Sequence, residues 1–281
     1  DLRGVQKDVE TGTVLVDATQ SVNLLRPVYV VILALLLASL TATLAWFLKP
    51  IPEPPLRKFQ WPIENLHTLF SRNIVISPDG SMVAYVAGNR LWIRDLDQTV
   101  SREIPDSEGA NSLFWSPQSD ELGYLVQNEL RKVAATGGPS LSLHRKASNA
   151  FMGQATWRAD GTFILSMTRQ GEFGSVLMIV SSQGGEPTVY LEPDSTRGEQ
   201  AFFDPHVLPD GHTLIFLMRN QDNSTDLVVH DGDSLRSLVH SNPGEGLRYP
   251  VYAPSGHILY TRYTGGNHIW AVAFDEQDLE A

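Results

Sequence analysis

Residues 74–95 read IVISPDGSMVAYVAGNRLWIRD and contain a unit that recurs along the chain. Two hydrophobic strands, at 74–76 and 82–87, flank a Pro-Asp-Gly turn, and the two-residue turn Gly88-Asn89 leads into a third strand at 90–95. Aspartate in such a turn bonds its own backbone, and the glycine after it accepts the positive φ that reverses the chain. This stretch therefore predicts a small antiparallel sheet.

The turn, or a relic of it, returns at intervals of roughly 40–50 residues. The later copies are SPQS at 116–119, RADG at 158–161, LPDG at 208–211 and APSG at 253–256. A period of that length, with several short strands in each unit, is typical of β-propeller blades. We therefore predict an all-β propeller over residues 57–281 with five visible blades, and we leave open whether further blades complete it.

Within each blade the hydrophobic runs mark the strands. We predict an extra strand at 57–63 that could close the ring, and first strands of the five blades at 74–76, 113–115, 156–157, 206–207 and 251–252. Since a propeller is mostly a binding platform, this pattern favours recognition over catalysis.

Acidic residues at the turns have a structural explanation. Aspartate followed by glycine is what a tight turn requires, so we interpret these residues as turn formers rather than catalysts. They are Asp79, Gly80, Asp160, Gly161, Asp210, Gly211 and Gly256. The histidines show no metal-type spacing, and we expect no catalytic, cofactor or metal site. Phe173, in the glycine-rich loop 169–174, is a weak candidate for ligand binding.

Composition narrows the choice of partners. The 281 residues carry a formal net charge of −11, which argues against a nucleic-acid binder, because such proteins need a basic footprint. There is no cysteine, so disulfides and thiol chemistry are excluded.

An uncharged stretch near the start has the length of a membrane span. Residues 28–48 read VYVVILALLLASLTATLAWFL, between Arg26 and Lys49. About 21 residues at ~1.5 Å each match a hydrocarbon core of ~30 Å. We predict a juxtamembrane tail at 1–25, a transmembrane helix at 26–49 and a proline-rich linker at 50–56. Basic residues are nearly balanced on the two sides of the span, so charge alone leaves its orientation open.

The phrases SPDGSMVAYVAGNRLWIRDLD, FWSPQSDELGYLVQNELRKVAATGGP and LPDGHTLIFL resemble TolB-type, WD-repeat-like propellers. More narrowly, the order of tail, span, linker and propeller is similar to the sensor half of bacterial transmembrane serine/threonine kinases. This resemblance implies a single-pass protein of the inner membrane, with a periplasmic or extracellular propeller that binds an unknown ligand or protein. It leaves a homodimer open.

The chain departs from that family in one respect. It contains no glycine-rich phosphate loop, His-Arg-Asp loop or Asp-Phe-Gly motif, so we expect ATP and Mg²⁺ only in a kinase domain missing from this sequence. Because it begins with Asp1, we interpret it as a piece of a longer protein. Two alternatives stay open: the propeller of a membrane-bound winged-helix regulator, or the N-terminal propeller of a prolyl-oligopeptidase-like hydrolase. Whether the parent protein is an enzyme stays uncertain.

Overall fold

The structure is a computed structural model that describes residues 25–47, 61, 63–64, 73–145, 152–168, 174–263 and 266–281. The predicted linker 50–56 lies outside the described residues, as do residues 1–24 of the predicted tail and most of the predicted strand 57–63. The chain divides into two compact units, Asp1–Gln60 and Trp61–Ala281.

The first unit contains helix α1 (Leu25–Phe47), which is 23 residues long. The large apolar side chains described along it, among them Leu33, Leu36 and Leu40, are exposed. The hydroxyl of Thr43 donates to the carbonyl of Ser39 at 2.8 Å, so this polar group is satisfied within the helix. Within the described residues, no helix reaches the combination of length and apolarity that crossing a membrane requires.

The second unit consists of five antiparallel sheets, each made of strands that are consecutive in the chain. Blade one contains β1 (Ile74–Ile76), β2 (Met82–Ala87), β3 (Arg90–Asp95) and β4 (Arg102–Glu103); blade two contains β5 (Ala110–Trp115), β6 (Glu121–Val126), β7 (Glu129–Ala134) and β8 (Leu141–Arg145); blade three contains β9 (Met152–Trp157), β10 (Thr162–Thr168), β11 (Ser175–Ser181) and β12 (Thr188–Leu191); blade four contains β13 (Glu199–Val207), β14 (Leu214–Asn220), β15 (Thr225–His230) and β16 (Leu235–His240); blade five contains β17 (Gly246–Ala253), β18 (His257–Tyr263) and β19 (Asn267–Ala273).

The first strand of each blade lies on the inner side of the array. Strand β5 contacts β1 and β9, and β13 contacts β9 and β17, so the first strands follow one another from blade to blade. The predicted all-β, five-bladed propeller is confirmed. In blades two to five, however, the first strands begin earlier than predicted; β13 starts at Glu199 rather than at 206.

Each pair of neighbouring blades encloses a layer of apolar side chains. Leu91 and Ile93 of blade one pack against Leu122 and Tyr124 of blade two, and all four are buried. Similar clusters join the remaining neighbours along the array. A sheet that is apolar on both faces is stabilised only when another sheet covers each face, so the sequence pattern and the stacking depend on each other.

Turn length decides which face each side chain occupies. In blade four the amide of Leu208 donates to the carbonyl of Thr213, whereas in blade three the amide of Arg158 donates to that of Thr162, one position nearer. A one-residue shift transfers a strand's side chains to the opposite face. Ile164 and Leu214 each lie three residues after the turn glycine, but because of this shift they occupy opposite faces of their blades. Those two faces meet between blades three and four, so both residues belong to one cluster.

Candidate functional site

The inner strands of blades two to five are each interrupted near the middle by a β-bulge, which in blade three falls between Met152 and Ala155 of β9. The pairing register shifts between Asn111 and Phe114 in β5, between Phe203 and His206 in β13, and between Arg248 and Val251 in β17. At these interruptions Ser112, Asp204 and Tyr249 adopt positive φ values of 52°, 53° and 55°. Bulges of this kind re-aim side chains and are frequent beside binding sites.

These bulges line a pocket of about 620 Å³, a volume in the usual range for small-molecule sites. Its walls come from the inner strands of blades two to five, from the second strands of blades three and four, and from the third strand of blade three. The lining residues are Asn111, Ser112, Gly153, Gln154, Ser166, Thr168, Gly174, Ser175, Ala201, Phe203, Asp204, Arg219, Arg248 and Tyr249.

Two arginines share one aromatic ring inside this pocket. The guanidinium carbon of Arg248 lies 4.7 Å from the centre of the Phe203 ring, and that of Arg219 lies 5.8 Å from it. A cation above an aromatic face is attracted by the ring quadrupole. Within the described part of the chain, the ion pairs with carboxylates involve other arginines and not these two.

Burial destabilises the charged form of Arg219. Loss of solvation, and secondarily the nearby charge of Arg248, lower the pKa of Arg219. Its Nε is buried without a hydrogen-bond partner, and so is Oε1 of Gln154 on another wall of the pocket. Buried polar atoms are normally paired, so the two mark places where a bound molecule would supply the missing partner.

The acidic member of the pocket has a structural role. Oδ2 of Asp204 accepts a hydrogen bond from the backbone amide of Tyr249 at 3.1 Å, which connects the bulge of blade four to that of blade five. Counting Asp204 against the two arginines, the described residues of the lining carry one excess positive charge. This local balance is opposite in sign to that of the whole chain, which is −11.

A larger hollow of about 960 Å³ lies between blades one and two. Its arginines already pair with carboxylates: Arg90 pairs with Glu103 and Glu108, and Glu129 pairs with Arg131 and Arg145, although Nε of Arg131 is buried without a partner. Because the described arginines of this hollow are already paired with carboxylates, we consider the smaller pocket the better candidate despite the difference in volume.

The turn residues that the sequence singled out lie outside this pocket. Phe173 and most of its loop are outside the described residues. Asp79, Asp160 and Asp210 each accept the backbone amide two residues later at 3.0 Å. A Cβ on Gly211 would lie 2.7 Å from Cβ of Ala159 in the preceding blade, so a side chain there would clash with that blade. The turn residues do not line either pocket.

The pocket was not predicted from the sequence, although one signal was present. Arg219 directly follows the apolar run LIFLM, and Arg248 precedes YPVY. A positively charged side chain at the end of a buried strand needs a partner that offsets the cost of its burial. Both arginines could have been recognised from the sequence on this ground. Within the described residues, no group of three His, Asp or Glu side chains is arranged to hold a metal ion.

Comparison with known proteins supports the architecture. No protein-family model matches the sequence, and no curated protein matches it. Among solved structures, a TolB from Agrobacterium tumefaciens is 15% identical over 62% of this chain and 68% of its own, with a TM-score of 0.50. TolB from Acinetobacter baumannii is 13% identical over 68% of this chain and 50% of its own, with a TM-score of 0.50.

A third similar structure is a peptidase. The acylaminoacyl peptidase of Pyrococcus horikoshii is 12% identical over 74% of this chain, with a TM-score of 0.51, but only 38% of its own length is covered. This chain therefore spans half or less of the Acinetobacter and Pyrococcus proteins. At such low identity the likeness concerns the fold alone: residues 61–281 form a five-bladed β-propeller of the TolB-like type.

Proposed function

We propose that this propeller is a ligand-binding module whose ligand occupies the pocket formed by the inner strands of blades two to five. The observation that carries the proposal is the arginine pair on Phe203, held in a pocket with an unpartnered donor and an unpartnered acceptor. Unpaired buried polar groups destabilise a folded protein. A ligand that forms hydrogen bonds with them would remove this cost and would bind more tightly as a result.

The module is anchored in the inner membrane, in this proposal, by the uncharged stretch 28–48, which continues past the end of α1. The sequence of the helix is uncharged after Arg26, and its described apolar side chains are exposed to the surroundings. Tyr29 and Trp46, near its two ends, are 67% and 77% exposed, and aromatic rings favour the membrane interface. The propeller would then lie on the periplasmic or extracellular side, where an external ligand can reach the pocket.

The parent protein, in the same proposal, is a transmembrane serine/threonine kinase in which the propeller is the sensor. The order of tail, apolar helix, proline-rich stretch and propeller supports it. ATP and Mg²⁺ would act only in the kinase domain. A winged-helix regulator or a hydrolase with an N-terminal propeller would use the same module, and the gene sequence on either side of this piece distinguishes the three.

Hydrogen exchange tests the binding role directly. The chain is purified in lipid nanodiscs, incubated with a low-molecular-weight cell extract, and analysed by amide exchange and mass spectrometry. We expect slower exchange in residues 199–206 and 246–250, with unchanged exchange in the turn at 77–81. Protection confined to the outer strands, or no protection with any extract, would contradict the proposed site.

Membrane anchoring has its own test. After cell lysis the chain should sediment with the membrane fraction and resist extraction with carbonate. In unlysed cells whose outer envelope has been made permeable, an external protease should cleave the propeller. Release into the carbonate supernatant would remove the anchoring part of the proposal while leaving the binding part intact.

A further inference from the structure

We propose that the ligand of this pocket is an organic carboxylate that also carries a hydrogen-bond donor close to its acid group. Arg219 and Arg248 would hold the carboxylate, and Gln154 would accept from the donor. The inference rests on the proposed binding function and specifies the chemical class of the ligand.

The first step is charge. Two guanidinium groups lie against one ring, and no carboxylate among the described residues forms an ion pair with either. Asp204 contributes one negative charge to the lining and leaves one positive charge in excess. Like charges that are partly removed from water repel strongly, and an anion placed between them relieves that repulsion. The ligand should therefore be an anion.

The second step is the pair of unpartnered atoms. Arg219 Nε is a donor and needs an acceptor, which a carboxylate oxygen supplies. Gln154 Oε1 is an acceptor and needs an N–H or O–H group. A simple anion without a donor would satisfy the arginine and leave the glutamine unpaired. A molecule with both groups satisfies both, as the end of a peptide or an acylated amino acid does.

The third step is the rest of the wall. Phe203 offers an apolar face, and Gly153 and Ala201 leave room for a short aliphatic or amide segment. Ser112 and Ser166 also line the pocket, and their hydroxyl groups can donate to a carbonyl oxygen. The volume of about 620 Å³ accommodates a molecule of a few residues.

Four small probes separate the requirements. N-acetylglycine has the carboxylate and the N–H; N-acetylsarcosine keeps the acid but lacks the N–H; N-acetylglycinamide lacks the acid; inorganic phosphate is an anion of another class. Affinities are measured by NMR titration of the full chain in detergent micelles. We expect N-acetylglycine to bind about tenfold more tightly than the amide, and about threefold to tenfold more tightly than N-acetylsarcosine.

Variants assign these differences to residues. Arg248→Gln should weaken N-acetylglycine binding about tenfold, whereas the matched control Arg236→Gln, on the exposed β16, should leave it unchanged. Gln154→Leu should abolish the preference for N-acetylglycine over N-acetylsarcosine. Circular dichroism melting curves verify that each variant is folded, and Arg248→Lys replaces Arg248→Gln if the latter is not.

Several results would overturn the inference. These are equal affinities for the acid and its amide, unchanged binding by Arg248→Gln, or phosphate binding more tightly than N-acetylglycine. If the acids fail to bind while an extract still protects residues 246–250 from exchange, the pocket binds a ligand of another class, and only this inference is lost. If neither binds, the proposed function is lost as well.

Discussion

The ring of Phe114 fills the space beside Gly123, so that a Cβ added at Gly123 would lie 2.2 Å from Cε2 of that ring. Phe114 cannot yield easily, because it is buried and packs edge-on against Trp157 and Phe163 of blade three, with ring centres 6.4 and 5.4 Å away. A glycine in the second strand of blade two thus makes room for an aromatic side chain that joins two blades.

We predict that Gly123→Ala destabilises the propeller by about 1–3 kcal/mol, the usual cost of an overpacked core. Thermal and urea unfolding followed by tryptophan fluorescence measure the loss. The matched control is Gly246→Ala, because a Cβ there would meet only Tyr263 Cβ at an ordinary 3.9 Å. Adding Phe114→Leu to Gly123→Ala should cost less than the sum of the two changes, and strict additivity would show that the two sites do not interact.

A second prediction concerns Arg102, which connects blades one and two. Its Nε and Nη2 donate to the carbonyl of Ala135 at 2.9 and 2.7 Å, and its Nη1 pairs with the carboxylate of Asp95. The planar fork of arginine permits all of these bonds together, whereas the point charge of lysine does not. Arg102→Lys should therefore lower stability by about 1–2 kcal/mol.

The control for that change is Arg236→Lys, because Arg236 is exposed and donates to the single carbonyl of Asp278. Both variants are compared with the unchanged chain by their unfolding midpoints in urea. Equal midpoints for the two variants would mean that the Arg102 bridge contributes no more than an ordinary surface contact.

The third prediction is a dependence on pH. Hydrogen bonds from the hydroxyl of Ser77, and then from the amide and hydroxyl of Ser81, lower the pKa of Asp79 from 3.8 to about 2. A depressed folded pKa stabilises the fold above pH 3.8, and this contribution is lost as pH falls from about 3.8 toward 2. Asp79→Asn should consequently flatten the fall of the unfolding midpoint in that window.

Ser81→Ala tests the stated cause. It removes one of the hydroxyl donors, so the pKa of Asp79, measured by NMR titration of its carboxyl carbon, should rise toward 3.8. The acid-induced loss of stability should move to higher pH with it. An unchanged pKa in Ser81→Ala would show that the Ser81 hydroxyl is not a cause, and would leave the Ser77 hydroxyl and the backbone amide of residue 81, which the variant keeps.

Blade one shows how far the sequence could predict the fold. Its first three strands have the predicted bounds, because Gly88 and Asn89 both take the positive φ that their turn requires, at 57° and 65°. The inner strands of blades two to five were predicted too short, since each contains a bulge that breaks the alternation of apolar and polar residues. The missed halves are the ones that carry Ser112, Asp204 and Arg248.

The β-bulges that form the candidate site are therefore also the reason that it was not predicted from the sequence. A bulge places a polar residue such as Asp204 at positive φ, and in a sequence this reads as a loop. The sequence also could not show that equivalent side chains of blades three and four occupy opposite faces. That depends on whether the amide at the start of the turn, of Arg158 or Leu208, donates to the carbonyl four or five residues later. Prediction from a repeated turn finds blades well, but the turn's length and the bulges require the three-dimensional pairing.

The last prediction uses Asp204 to change the charge of the pocket without changing its shape. Asparagine tolerates positive φ and can still accept the Tyr249 amide, so Asp204→Asn should fold normally. Removing one negative charge near the two arginines should strengthen the binding of N-acetylglycine about fivefold, and more at low salt. The matched control is Asp233→Asn, in the exposed turn before β16, which should leave the affinity unchanged. Weaker binding by Asp204→Asn would mean that the carboxylate contacts the ligand itself, and the pocket would then select a cation or a donor-rich neutral molecule instead.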